Sequence, residues 1–191
     1  ITNCYTTGVL KGSGAAGGIG GVLGGSGYIK NCYSSATVID QIANNAGKAG
    51  GIIGRVNGNT SGSSIENCYT SGDINAIGGG NAGGIVGKVD GGKLVIKNCI
   101  AWNSMLVSTD KAKVGRIVGG TANATYENCY AYDGMILKAG EATFTVSDET
   151  SPSGSSFQGV AKSANELKNT VINWDSSLWK EGGNGYPVFK W

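Results

Sequence analysis

Histidine is absent from the 191 residues, proline occurs only twice, and Asp, Glu, Lys and Arg together supply 15% of the chain. Each shortage removes a class of explanation. Without histidine, the His-containing serine and cysteine triads and the H-E-x-x-H zinc motif cannot be assembled from these residues. Two prolines beside 35 glycines exclude collagen, which needs glycine at every third position and abundant proline. Fifteen basic against thirteen acidic residues leave a formal charge of +2, with neither a basic field for nucleic acid nor an acidic tail. No apolar run reaches the roughly 20 residues of a transmembrane helix. No signal peptide precedes the first residues, which already lie within a repeat, so the chain reads as a mature fragment cut from something longer.

Glycine and short aliphatic clusters are what the sequence has in excess. Glycine stands at roughly 18% against a usual level of about 7%, yet 40% of the residues are hydrophobic, too many for a Gly/Ser linker. The apolar residues fall in Val/Ile/Leu clusters between glycines, so glycine punctuates strands. The length suits one domain, or one repeat array with a cap. Cysteines at 4, 32, 68, 99 and 129 are odd in number and lack C-x-x-C spacing, which argues against zinc and against a redox pair.

Those cysteines mark a repeat. Ile1-Thr2-Asn3-Cys4-Tyr5 recurs as Ile29-Lys30-Asn31-Cys32-Tyr33, Ile65-Glu66-Asn67-Cys68-Tyr69, Ile96-Lys97-Asn98-Cys99-Ile100 and Tyr126-Glu127-Asn128-Cys129-Tyr130. A second element alternates with it: Gly21-Val22-Leu23-Gly24, Gly51-Ile52-Ile53-Gly54, Gly84-Ile85-Val86-Gly87 and, with the first glycine lost, Arg116-Ile117-Val118-Gly119. Two elements keeping step over about 130 residues indicate stacked supersecondary units that complete one another's cores. The units hold short β-type runs and no 3.6-residue apolar period, which disfavours helical repeats.

After each cysteine, alternate residues are small or apolar and end in a larger side chain: Cys32, Ser34, Ala36, Val38; Cys68, Thr70, Gly72, Ile74; Cys129, Ala131, Asp133, Met135. This row faces the interior. The Ile three residues before cysteine has the opposite parity, so both reach the core only if the chain bends at the intervening Asn. An Asn at the same corner of every coil can bond its neighbours as a ladder. Cysteine then serves as a small buried hydrophobe, stacked at about 4.8 Å, with nothing nearby to activate the thiol. The expected fold is all-β: a parallel β-helix of about five coils of ~30 residues, right-handed by the usual rule, closed by a C-terminal aromatic cap containing a short helix.

At these elements the sequence resembles the GLUG-motif repeat family, found in Bacteroidetes-type surface proteins and adhesins and in the repeat regions of some IgA-specific metallopeptidases. The resemblance covers residues 1–138. It implies a β-helical fold, an extracellular or bacterial cell-surface location and an adhesive or spacer role, and it assigns no catalytic residue. Arg116 breaks the glycine element and Ile100 replaces tyrosine, so the final coils are expected to be distorted.

Residues 139–191 are assigned as linker and cap. Residues 147–156, rich in serine with Pro152 and Gly154, read as a flexible connection, and Ser163-Ala164-Asn165-Glu166 as a capping box opening a helix. Trp174, Trp179 and Trp191 are expected in the cap core, covering the open end of the stack.

The functional expectation is a non-catalytic extracellular binding or spacer module, adhesin-like, without cofactor or metal. Its partner would be a host or microbial surface glycan or protein, with no nucleic acid and no membrane insertion. A carbohydrate-active β-helix enzyme and a subunit stacking into filaments are the alternatives. Such an enzyme would need convergent carboxylates, whereas the acids here are scattered and are read as solvated turn residues. The glycines of residues 17–25 lack the Gly-Lys-Ser/Thr of a phosphate loop. Tyr5, Tyr33, Tyr69 and Tyr130 should point away from the cysteine row and, with Trp102 and Tyr132, form a strip. That strip is either a ligand-contact surface or a structural ladder packed beneath a loop.

Overall fold

The computed structural model describes residues 1–44, 46–58, 62–120, 124–146 and 158–191. It is an all-β parallel solenoid of four complete coils and the start of a fifth, slightly short of the expected five. The first three coils each contribute a short strand to each of five faces, whereas the fourth keeps only a bridge from Val118 to Val86 on the fourth face. The first face, after the cysteine, stacks Tyr5–Thr6, Tyr33–Ser34, Tyr69–Thr70, Ile100–Ala101, Tyr130–Tyr132 and finally Val160–Lys162. The second runs from Val9–Gly12 to Ile136–Ala139, where Ala142–Phe144 turns back antiparallel. The third contains Ala16–Gly17, the fourth Gly20–Gly25 and the fifth Tyr28–Lys30, each with its in-register counterparts.

Asparagine makes the corner between the fifth and first faces. Asn3, Asn31, Asn67, Asn98 and Asn128 all adopt left-handed backbone, with φ between 50° and 54°, a conformation asparagine tolerates better than other residues with a Cβ. Their side chains form an unbroken ladder. Nδ2 of Asn31 donates to Oδ1 of Asn3 at 3.2 Å, Asn67 to Asn31 at 3.1 Å, Asn98 to Asn67 at 3.0 Å and Asn128 to Asn98 at 3.1 Å. The bend turns Ile29, Ile65 and Ile96 and the cysteines that follow them into the same core, where all are fully buried.

Cys32, Cys68, Cys99 and Cys129 form the expected buried column, while Cys4 on the first coil is exposed. All five are free thiols. The carbonyls of Lys30, Glu66, Lys97 and Glu127, each two residues before a cysteine, lie 3.3, 3.2, 3.3 and 3.6 Å from the sulfur. Burial raises the Cys68 thiol well above its ordinary value and the Cys129 thiol to about 11. The interaction with Cys68, together with burial, raises that of Cys32.

The interior row holds along Cys32, Ser34, Ala36 and Val38, but shifts in the fifth coil. Leu137, not Met135, continues the column of Leu10, Val38, Ile74 and Leu106. Asp133 and Gly134 are exposed, because the chain takes an extra step there before regaining the sheet. Asp40 also departs from the solvated-turn expectation. It is fully buried, and its carboxylate accepts from the N–H groups of Gly14 (3.1 Å), Ile42 (3.0 Å) and Lys48 (3.1 Å), tying together two coils and a corner.

The Ile-Val elements of the second to fourth coils turn the corner from the third face to the fourth, with both apolar residues buried: Ile52 with Ile53, Ile85 with Val86, Ile117 with Val118. In the first coil the register puts Gly18, Ile19 and Gly20 at this corner, not Gly21-Val22-Leu23-Gly24, whose Val22 is exposed opposite Arg55. The glycine before each pair is required by the coil above it. A Cβ on Gly51 would lie 2.1 Å from the Gly84 carbonyl oxygen, and one on Gly84 2.2 Å from that of Arg116. Arg116 escapes this limit because the next layer is Gln158 and Gly159 instead of another such element. Its N–H donates to Gln158 Oε1 (2.9 Å), its Nε to the Gln158 carbonyl (3.0 Å) and its Nη2 to that of Gly159 (3.0 Å). The missing glycine thus falls where the stack ends, and the final coils are altered as expected: Val118 keeps only a bridge to Val86 where earlier coils have a strand. Ile100, by contrast, keeps the register between Tyr69 and Tyr130.

On the outer side of the fifth face, charge alternates up the stack through Lys30, Glu66, Lys97 and Glu127, with Lys30 3.9 Å from Glu66 and Lys97 2.7 Å from Glu127. Exposed pairs of this kind add little stability, but a one-coil slip would set like charges opposite each other.

Ser163 opens the helix α1, Ala164–Trp174, as the capping box requires: Glu166 Oε2 accepts from the Ser163 N–H at 2.9 Å and from its hydroxyl at 2.6 Å. A hairpin of Trp179–Glu181 and Pro187–Phe189 follows. The flexible connection assigned to residues 147–156 lies outside the described residues.

Candidate functional site

The tyrosines of the first face point away from the cysteine core and stack directly on one another. The Tyr5 and Tyr33 ring centres are 5.1 Å apart with planes 8° from parallel, and those of Tyr33 and Tyr69 are 5.1 Å apart at 3°. This spacing follows from in-register parallel pairing of Tyr5 with Tyr33 and of Tyr33 with Tyr69. Ile100 fills the next position, then Tyr130, whose ring carries the Lys162 ammonium at 3.9 Å. Trp102 and Tyr132 extend a neighbouring column two residues further along the same strands.

Residues 158–162 cover the end of the stack, and the C-terminal helix and hairpin lie along this flank. Leu167 and Val171 of α1, with Trp179 and Phe189 of the hairpin, form one cluster with Tyr33, Tyr69, Ile100 and Trp102. Trp179 packs against both Tyr33 and Tyr69, at 5.9 and 5.8 Å, and the Tyr69 hydroxyl donates to the Pro187 carbonyl. The strip is therefore mostly covered: Tyr33, Tyr69 and Trp102 are buried, Tyr130 and Tyr132 partly so, and Tyr5 is open. Burial raises the Tyr33 and Tyr69 hydroxyls above the ordinary phenol range. Of the expected cap tryptophans, Trp179 is buried and Trp174 half-buried. Trp191 is 69% exposed and stacks on Phe189 outside the cluster, not within a cap core.

Where the flank meets the C-terminal segment, the covering is incomplete and a cleft of about 320 Å³ opens. Its walls are Trp102 and Tyr132 from the solenoid, Asn165 and Lys168 from α1, and Asn184 and Tyr186 from the hairpin turn. Tyr186 stands edge-on to Trp102, 4.7 Å between ring centres. Burial, with Tyr132 and Asp73 nearby, raises the Tyr186 hydroxyl, which stays protonated at neutral pH. Lys168 is paired with Glu181 at 3.0 Å. Two of the six expected strip residues thus line an accessible cavity. The wall residues from α1 and the hairpin turn were missed, since they lie beyond the repeats and no periodicity connects the tail to a particular coil.

Among the described residues no group of three or more Cys, Asp and Glu side chains converges as a metal site, and no helix is long and apolar enough to cross a membrane. On the fourth face Asp90 receives Arg55 and Lys88, each at 2.6 Å. Burial works to raise its carboxyl, but the Lys88 hydrogen bond and the two cations outweigh burial and lower it.

The fold defines the class: a parallel β-solenoid with an aromatic-faced flank covered by its own C-terminal segment. No family model matches the sequence, and no curated protein matches it. Among solved structures, a crystal structure of a "putative immunoglobulin A1 protease" from Bacteroides ovatus aligns with 100% of this chain, at 51% sequence identity and a TM-score of 0.89. The chain spans 57% of the length of that protein. This likeness corrects the expectation that the chain is no enzyme, because the protein that matches all of this chain over 57% of its own length is named a "putative immunoglobulin A1 protease". The missing histidine restricts only which groups within these residues could do chemistry. It does not separate the chain from an enzymatic context.

Proposed function

We propose that this chain is the solenoid portion of an extracellular, immunoglobulin A1 protease-like protein of a Bacteroidetes-type bacterium, and that it engages the protein substrate. The observation that carries this reading is the 51% identity sustained over the whole chain. The architecture supports it. In-register coils locked by the asparagine ladder make a rigid platform, and beside the covered strip Tyr5 stays open while Trp102, Tyr132 and Tyr186 line a cleft, aromatic side chains of the kind that dominate protein recognition. The Asn-Cys-Tyr and Gly-Ile-Val-Gly elements support a place among GLUG-type surface repeats, and an adhesin-like grip on a substrate protein suits both parallels. Surface plasmon resonance against immobilised human immunoglobulin A1 tests the reading, with saturable binding expected and none by immunoglobulin G. Electrophoresis of the heavy chain after the same incubation shows whether cleavage accompanies binding. Equal or absent binding to both immunoglobulins overturns the assignment.

A further inference from the structure

We propose that the cleft walled by Trp102, Tyr132 and Tyr186 is a binding site for a neutral pyranoside. The proposal rests on the recognition role above and specifies its ligand chemistry. Three aromatic side chains from two separate parts of the chain converge on a cavity of about 320 Å³, at the lower end of small-molecule sites and of the size of one or two sugar rings. A sugar presents an apolar C–H face and a rim of hydroxyls. The cleft answers both, with three rings and two side-chain amides in its lining.

The polar groups point the same way. Asn184 Oδ1 accepts from the Tyr186 N–H at 3.3 Å, which leaves its Nδ2 hydrogens as donors at the mouth. Asn165 is exposed beside it in the first turn of α1. Both amides can donate and accept, as adjacent hydroxyls require. The one cationic side chain in the wall, Lys168, is neutralised by Glu181 at 3.0 Å, and the Glu166 carboxylate already occupies the start of α1 at Ser163. An anionic ligand such as a phosphate or a sialic acid would therefore meet no unpaired positive side chain in this wall, whereas a neutral sugar needs none.

The test is a titration of the full chain, labelled with 15N, with the methyl glycosides of glucose, galactose, mannose and N-acetylgalactosamine, with glucuronic and N-acetylneuraminic acids in parallel. The expected result is saturable movement of the Trp102 indole and the Asn165 and Asn184 amide signals with at least one neutral glycoside, and weaker movement with the acids. Tyr186→Ala should weaken that binding about tenfold through the lost ring, and Asn184→Ala, an exposed change that leaves the fold intact, about fivefold through the lost hydrogen bond. Absence of movement with every neutral glycoside, or binding unchanged in Asn184→Ala, overturns the proposal. So does movement of the same signals by enzymatically deglycosylated immunoglobulin A1 without any by sugars, which would make the occupant a peptide. Immunoglobulin binding that survives both substitutions sinks the sugar site while leaving the recognition role standing.

Discussion

Asn67 donates its side-chain amide to Asn31 one coil away, at 3.1 Å, and both residues hold left-handed backbone at φ 51° and 54°. The two facts have one cause. The corner needs a residue that accepts positive φ, and stacking that residue in register leaves an amide whose donor and acceptor ends meet the next amides along the stack. Asn67 also accepts from Asn98 at 3.0 Å, so it sits inside the ladder.

Replacing it separates the two roles. Asn67→Gly keeps the conformation and loses the ladder bonds, for an expected loss of about 2 kcal/mol. Asn67→Ala adds the strain of a left-handed Cβ residue and should lose about 3 to 4 kcal/mol. Urea unfolding at equilibrium measures both, and equal losses would mean that backbone strain at the corner contributes nothing.

The thiol column predicts selective chemistry. Cys4 is exposed and the other four are fully buried, so iodoacetamide on the native protein should label Cys4 alone, as read by peptide mass spectrometry. The same burial sets a pH dependence. Cys129 moves from 9.0 to about 11 in the folded protein, so the folded state holds its proton where the unfolded state releases it. Stability is then fully present below pH 9 and declines as pH rises toward 11. Cys129→Ala should flatten that decline in thermal melts taken across this range. An unchanged slope would place the alkaline loss elsewhere.

Arg116 predicts where the stack begins to open. Arg116→Met removes the guanidinium's buried hydrogen bonds to the carbonyls of Gln158 and Gly159, at an expected cost of about 2 to 3 kcal/mol. Hydrogen exchange should quicken first at Val160–Lys162, the strand those residues lead into, while the first three coils keep their protection. Uniform loss of protection would show that the end layer and the coils unfold as one unit.

Much of the solenoid was legible because its causes are local and repeated. Asn-Cys at a fixed place in each coil announced both the bend and the buried thiol, and parity placed Ile29 and Cys32 in one core. Where a coil lengthens, as by two residues between Cys129 and Leu137, the period misassigned Met135 for Leu137, since a count along the chain cannot see where the strand regains register. Asp40 was misread for a related reason: an acid in a turn looks solvated until the N–H groups of Gly14, Ile42 and Lys48 are found around it.

The residues alone determined that coils would stack, which side chains would line their axis and that tyrosines would form a column outside it, because each coil repeats the same short-range pattern and parallel pairing copies it upward. Only the tertiary structure decided that the C-terminal helix and hairpin lie against that column, and that Tyr186 meets Trp102 across a cleft. The tail is not a repeat, so its docking place is set by shape and apolar complementarity with one particular flank, which no sequence period encodes.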